Sequence, residues 1–401
     1  MTGTARSEGN GTGAPSARVP RSWWVYRGTG LPLHDIELTD LLPPAPPWRT
    51  FTGSSPSPSA HRDAEGGAPA GSAEGAGPAG SAEGAGPAGS VEPPPPQEDE
   101  AELRRRLGAS PVGTPADAAE TDLVNAALIL RRPLLVTGRP GTGKSALAYR
   151  ISRELRLGRV LRWPVTSKTT LKSALYRYDA VSRIHAAATS DGFGEAGKED
   201  AAGPTTDIGS FLALGPLGTA LLPYRLPRVL LVDEFDKSDM DLPNDLLDVF
   251  EAGEFVVPEL ARMRSRRPVV EVQSDDPGRT ALIRDGRVRC REFPLVVITS
   301  NGEREFPPAF LRRCLHLHVE EPRLDRLAGI VAAHLGPQDA DPRVAELVRL
   351  FAERSAQESG LATDQLLNSI WLATSGAYSR GADWEALLRA VWHRLDGVTE
   401  T

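Results

Sequence analysis

The chain has 401 residues, 40% hydrophobic and 25% charged, with a formal net charge of -7. That length fits two or three domains rather than one small core. The composition is that of a globular protein, and the acidic balance argues against a protein built to coat nucleic acid. Cys290 and Cys314 are too few for a disulfide framework, so a reducing, cytoplasmic setting is expected, with both thiols buried as small hydrophobes. No basic start followed by an apolar run marks a signal peptide, and no apolar run is long enough for a membrane span.

Residues 1–52 read as an aromatic and proline-rich arm. Trp23, Trp24 and Tyr26 fall within four positions, and Leu31, Leu33, Ile36, Leu41 and Leu42 lead on to Pro43-Pro44-Ala45-Pro46-Pro47-Trp48. The piece is too short for a core of its own. It is either a strand-like arm packed on its own globular domain or a docking peptide for another protein. Residues 53–98 read as a disordered linker. Between Gly53 and Gln97, Val91 is the only Val, Ile, Leu, Met or aromatic residue, and a nine-residue repeat sets Pro69, Pro78 and Pro87 in phase. Such a segment cannot bury enough apolar area to offset its chain entropy.

The folded body begins near Asp99. Thr114 and Pro115 carry N-cap and first-turn signals for a helix that Leu123, Ala127 and Leu130 continue and Pro133 stops. Strands are expected at Leu134–Val136 and Val160–Val165, with a helix between them that aligns Leu147, Ile151 and Leu155. Leu171–Ala188 reads as one further helix and Gly192–Thr206 as a polar insertion. Val229–Val232 is a fully apolar third strand, and Leu242, Leu246 and Phe250 mark a helix closed by Gly253. Asp285-Gly286 is a hairpin turn signal inside an insertion near 254–293, and Leu295–Ile298 and Leu315–Val319 complete five strands. Strands alternating with helices predict an α/β three-layer sandwich around a parallel five-stranded sheet over 99–322. From 323 to 401 the pattern is helical only, at Leu324–Leu335, Arg343–Glu358, Asp364–Thr374 with Thr363 as its cap, and Trp384–Leu395.

Gly138-Arg139-Pro140-Gly141-Thr142-Gly143-Lys144-Ser145 matches G-x-x-x-x-G-K-[ST], directly after a strand and directly before a helix. Glycines let backbone N–H groups curl around phosphate oxygens, and the helix N-terminus adds partial positive charge. Lys144 supplies an ammonium to the outer phosphates and Ser145 a hydroxyl to Mg²⁺. Gly138, Arg139, Pro140, Gly141, Thr142, Gly143, Lys144, Ser145 and Ala146 are therefore the candidate phosphate-binding residues. Asp233 and Glu234 follow the third strand, where parallel strands open onto a ligand crevice. Asp233, with Ser145, is the candidate metal ligand, and Glu234 the candidate general base. Asp236 is assigned to the following turn. Asn301 ends the fourth strand, either to orient the attacking water or simply as an Asn-Gly turn. Arg312 and Arg313 close a short helix, either as cations favourable to its dipole or as an arginine finger offered to a neighbouring subunit.

The order of these features resembles the AAA+ ATPases, and within them the MoxR-type family. Val232-Asp233-Glu234-Phe235-Asp236-Lys237-Ser238 with Pro243-Asn244-Asp245-Leu246-Leu247 looks like that family's Walker B region, and Asp285-Gly286 falls where such proteins carry a β-hairpin insertion. Thr169-Thr170-Leu171 to Ala180 and Leu214-Gly215-Pro216-Leu217-Gly218-Thr219-Ala220 look like a bacterial subset associated with conflict and defence modules. The resemblance implies ATP and Mg²⁺ as ligands, a helical lid over 323–401, and a homo-oligomeric ring, usually a hexamer, acting on a client protein. It favours Arg313 as the finger, with Arg312 second. One feature departs from the pattern: Leu361-Ala362-Thr363-Asp364-Gln365 stands where many lids carry a sensor arginine. The resulting expectation is an ATPase that remodels a partner protein, the alternative an ATP-gated switch or scaffold with little turnover. With every catalytic candidate downstream of the linker, removing residues 1–52 is expected to leave the ATP site intact.

Overall fold

A computed structural model describes residues 21–34, 38–51, 92–93, 95–109, 117–190, 207–336, 341–357, 361–375 and 383–392. In chain order the strands are β1 (Leu134–Thr137), β2 (Leu161–Pro164), β3 (Tyr176–Tyr178), β4 (Leu212–Leu214), β5 (Val229–Asp233), β6 (Glu254–Val256), β7 (Val269–Gln273), β8 (Thr280–Arg284), β9 (Arg287–Arg289), β10 (Leu295–Ser300) and β11 (Leu315–His318).

Five of them form the expected parallel sheet, in the order β11-β1-β10-β5-β2. Its strands β10 and β5 are buried along their whole length because both faces are covered. Alternate residues feed two apolar cores. Leu134, Val136, Val229, Leu231, Leu295 and Val297 pack against Leu147, Ile151 and Leu155 of the helix Lys144–Leu155 and against Val124 and Leu128 of the helix Ala118–Leu130. Leu135, Leu230, Val232, Val296 and Ile298 face the other way, toward Leu217, Leu242, Leu246, Phe250 and Phe310. The sandwich therefore has three layers. Its strand order sets β10 between β1 and β5, so the loops after these three strands emerge side by side.

Part of the insertion was unforeseen in extent. Asp285 and Gly286 both take positive φ, 53° and 70°, and join β8 to β9 as a two-residue hairpin turn. The hairpin supplies two strands of a second, six-stranded sheet ordered β3-β4-β7-β8-β9-β6. β7 and β8 alternate exposed and buried residues, turning Val270, Val272, Ala281 and Ile283 onto the core. The single helix expected over Leu171–Ala188 is interrupted for the same reason. Thr170 caps a five-residue helix, Leu171–Leu175, and the chain then extends as β3 to pair antiparallel with β4 before turning helical again at Ala180–Ser190. Three-residue strands leave no local periodicity; their pairing across the chain creates them.

Two helix starts also differ from expectation. The helix after residue 117 begins at Ala118, and Thr114 and Pro115 lie outside the described residues, as do Gly192–Thr206 and most of the 53–98 linker. Thr363 is the first residue of its helix, Thr363–Thr374, rather than its cap; the side chain of Gln365 instead accepts the N–H of Ala362. The helices Leu324–Leu335, Pro342–Gln357, Thr363–Thr374 and Trp384–Val391 enclose an apolar cluster of their own, including Leu327, Val331, Leu347, Phe351, Leu366, Ile370 and Trp392. Among the described residues no helix is long and apolar enough to cross a membrane.

The described residues of the arm pack on its own body and include no strand. Tyr26 is fully buried, Val25 nearly so, and both backbone N–H groups donate to Asn125 Oδ1, at 2.9 and 2.7 Å. The indole of Trp24 donates to Asp122. Further on, buried Arg49 donates to the carbonyls of Arg131 and Phe250, ending the helices Ala118–Leu130 and Leu242–Ala252, and stacks over Phe293.

Candidate functional site

The loop Gly138–Gly143 leaves β1 with three glycines at positive φ, 150°, 75° and 86° at Gly138, Gly141 and Gly143, a path that Cβ atoms resist. Lys144 opens the following helix. Its ammonium is nearly buried and folds back to donate to the carbonyl oxygens of Gly138 and Arg139, at 2.7 and 2.6 Å. Burial lowers the pKa of Lys144, against the pull of Asp236, Asp233 and Glu234. A cation held in this way is suited to an anionic ligand.

Ser145 and Asp233 lie 88 positions apart in the chain, yet the Ser145 hydroxyl donates to Asp233 Oδ1 at 2.6 Å. The Thr299 hydroxyl donates to the same oxygen at 2.9 Å, and Arg162 reaches Oδ2 at 3.2 Å from β2. Hydroxyl and carboxylate oxygens are the hard donors that Mg²⁺ prefers, and it usually adds water and substrate phosphates to one or two such protein ligands. Among the described residues no group of three or more His, Cys, Asp and Glu side chains is placed to hold a metal alone. Ser145 and Asp233 thus fit a nucleotide-borne Mg²⁺ better than a free-standing metal centre.

Glu234 takes a left-handed backbone, φ 60° and ψ 48°, and its N–H donates to the Thr299 hydroxyl. Its carboxylate is half exposed and pairs with Lys237 at 2.9 Å. Asp236 does not serve its own turn. Its Oδ2 accepts the N–H groups of Asn301 and Glu303, at 2.8 and 3.2 Å, while its buried Oδ1 has no hydrogen-bond partner. Asp236 therefore fixes the loop that presents Asn301.

Pro140–Ala146, Asp233, Glu234, Thr299 and Asn301 line one cavity of about 510 Å³. Gly138 and Arg139 contribute their carbonyls to Lys144 behind it. The cavity is closed by residues that local motifs did not indicate, Arg105–Leu107, Arg150 and Arg153, and Arg326 and His334 of the helix Leu324–Leu335, and by Thr363 and Asp364, from the segment that stands in the place of a sensor arginine. Thr363 binds the phosphate loop directly, donating through its hydroxyl to the Gly141 carbonyl at 3.0 Å. Thr29 and Gly30 of the arm are also in the wall, a contribution that the expectation of a site left intact without residues 1–52 did not include.

Arg312 and Arg313 are not among the residues lining this cavity. Arg313 lies across the body, with Nε 2.6 Å from Glu251 and Nη1 donating to the Ala309 carbonyl. The backbone carbonyl of Arg312 accepts from Arg132.

Residues 133–314 match the AAA domain family, dynein-related subfamily. This is a family of P-loop NTPases, and its boundaries enclose the phosphate loop, Asp233, Glu234, Asn301 and both arginines. An AAA domain implies a nucleotide-dependent activity. No curated protein matches the chain. One solved structure, described as "Structural Basis for Katanin Self-Assembly", aligns with 65% of this chain and 66% of that one, just under two thirds of its length, at 13% identity and a TM-score of 0.27.

Proposed function

We propose that the protein is a Mg²⁺-dependent ATPase of the MoxR type, working as a homo-oligomeric ring, hexameric by analogy, that remodels a partner protein in the cytoplasm. The observation that carries the ATPase reading is the 2.6 Å contact of Ser145 with Asp233 beside the buried ammonium of Lys144. Gly138 to Ala146 hold the phosphates, Ser145 and Asp233 hold the metal, and Asn301 orients the attacking water. Mg²⁺ bound there neutralises charge on the phosphate oxygens. Glu234 accepts a proton from water as the water oxygen bonds to the γ-phosphorus and the bond to the β–γ bridging oxygen breaks, leaving ADP and phosphate. Lys237 pairs with Oε2 of Glu234, which leaves Oε1 as the second oxygen of that carboxylate. Arg313, with Arg312 second, acts on a neighbouring subunit's nucleotide; its distance from its own cavity supports this assignment. The insertion carrying β7, β8 and β9 between β5 and β10 supports the MoxR subtype.

A second reading, an ATP-gated switch with little turnover, is favoured by one feature. Asp364, a carboxylate, lines the cavity at the start of a C-terminal helix, where a phosphate-sensing arginine stands in many AAA+ lids. ATP turnover measured against protein concentration, with the assembly state in ATP determined in parallel, tests both. Turnover that rises as the protein assembles is expected. Tight ATP binding and assembly without turnover would decide for the switch, and absence of ATP binding would sink both readings.

A further inference from the structure

The helix that begins with Lys144 carries a second polar centre near its far end. Glu154 is completely buried, and its carboxylate accepts four hydrogen bonds from the arm. Arg27 N–H at 2.5 Å and Gly28 N–H at 3.2 Å reach Oε1; the Thr29 hydroxyl at 3.1 Å and Gly30 N–H at 2.8 Å reach Oε2. A buried carboxylate is costly unless donors fill it, and charge-assisted bonds of this kind are strong. The turn that supplies them needs glycine: Gly28 and Gly30 have φ of 73° and 66°.

A second buried carboxylate, Glu120, sits beside the first. Tyr26 donates its hydroxyl to Glu120 at 3.3 Å, Arg150 donates at 2.5 Å, and Arg326 approaches to 3.7 Å. Burial raises the pKa of Tyr26, which keeps its hydroxyl a donor. Glu120 thus joins the arm, the phosphate-loop helix and the first C-terminal helix. Thr29, Gly30, Arg150, Arg153 and Arg326 all face the cavity. At 1.5 Å per residue, Arg150 and Arg153 lie about 9–14 Å along the helix from Lys144, beyond the reach of the phosphate loop.

We infer that the Tyr26–Gly30 turn is a wall of the nucleotide site: Thr29 and Gly30 contact the nucleoside end of the bound nucleotide, and Glu154 is the positioning residue that holds them there. The inference rests on the nucleotide reading above. If the docked arm touches the ligand, binding and docking must reinforce each other, because a ligand favours the state it contacts.

Hydrogen exchange on the full chain, with and without Mg²⁺ and a non-hydrolysable ATP analogue, reads this linkage. The amides of Arg27, Gly28 and Gly30 are expected to slow when the analogue binds, along with those of Gly141–Ser145. Thr29→Val and Glu154→Gln, both close in volume to the parent residues, are expected to weaken binding of the analogue by about three- to tenfold, as loss of one hydrogen bond would. Slowed phosphate-loop amides with unchanged arm amides would overturn the inference while leaving the nucleotide reading standing. Unchanged exchange at both, with Lys144→Ala indistinguishable from the parent, would remove the nucleotide reading and the inference with it.

Discussion

At the scale of single residues, the site depends on groups whose ordinary behaviour is altered by burial. Lys144 is bonded to its own loop carbonyls and has a lowered pKa because its surroundings are dry. Lys144→Ala should abolish ATP binding, measured by titration calorimetry, whereas Glu234→Gln should keep binding and slow hydrolysis. Thr299 is small but central: nearly buried, it donates to Asp233 and accepts from Glu234 N–H, so it bridges the proposed metal ligand and the proposed base. Thr299→Val keeps the shape, leaves the Glu234 N–H without its acceptor and removes one of the two hydroxyl donors to Asp233 Oδ1. It should destabilise the fold by about 1–3 kcal/mol in urea unfolding and reduce turnover. Burial pushes the Cys290 and Cys314 thiols up to about 12. Thiolate is the reactive form, so neither should be labelled by a thiol reagent at pH 8 until the protein is unfolded. The sign of the linkage is also set. The unfolded thiols ionise first, so their contribution to stability is whole below the ordinary thiol range and is lost as pH rises toward 12.

At the scale of elements, the decisive contact is between the phosphate loop and the C-terminal helices. A Cβ on Gly141 would lie 2.3 Å from Ala362 Cβ, and Gly141 already has φ of 75°. The loop is thus packed against the start of the helix Thr363–Thr374, with Thr363 donating to the Gly141 carbonyl. Gly141→Ala should push these elements apart. The expected result is faster hydrogen exchange at Thr363–Gln365 and weaker ATP binding, with sheet amides unchanged; equal exchange in variant and parent would count against the contact. Arg49 has a comparable role for the arm, ending two helices of the body through their last carbonyls. Its loss would leave those carbonyls without their charged donor.

At the scale of the whole molecule, the separation of Arg313 from its own cavity makes a statement about assembly. Arg313 is held by Glu251, which also approaches Arg49 of the arm to 3.6 Å. If Arg313 serves a neighbour, Arg313→Ala should bind ATP normally and hydrolyse it slowly. Mixing Arg313→Ala with Lys144→Ala should then restore part of the turnover, because mixed rings contain interfaces with one intact loop and one intact finger. Proven mixed rings without recovery would exclude a finger acting between subunits.

The five-stranded sheet and the phosphate loop were legible from residue order because their causes are local. A strand buried on both faces must be apolar throughout, as Val229–Val232 and Leu295–Ile298 are, and a phosphate cradle must place glycines at Gly138, Gly141 and Gly143 beside Lys144. Asp233 and Glu234 were legible because strand ends of a parallel sheet open on one crevice. What tertiary structure alone decided has non-local causes. The pairing of Tyr176–Tyr178 with Leu212–Leu214 overrode a helical reading, since three-residue strands exist only through their partners. Arg162 reaches Asp233 because β2 lies beside β5, and Thr299 does so because β10 does. Thr29 and Gly30 enter the cavity wall because Glu154, more than 120 residues away in the chain, is buried among arm donors that a carboxylate without water requires.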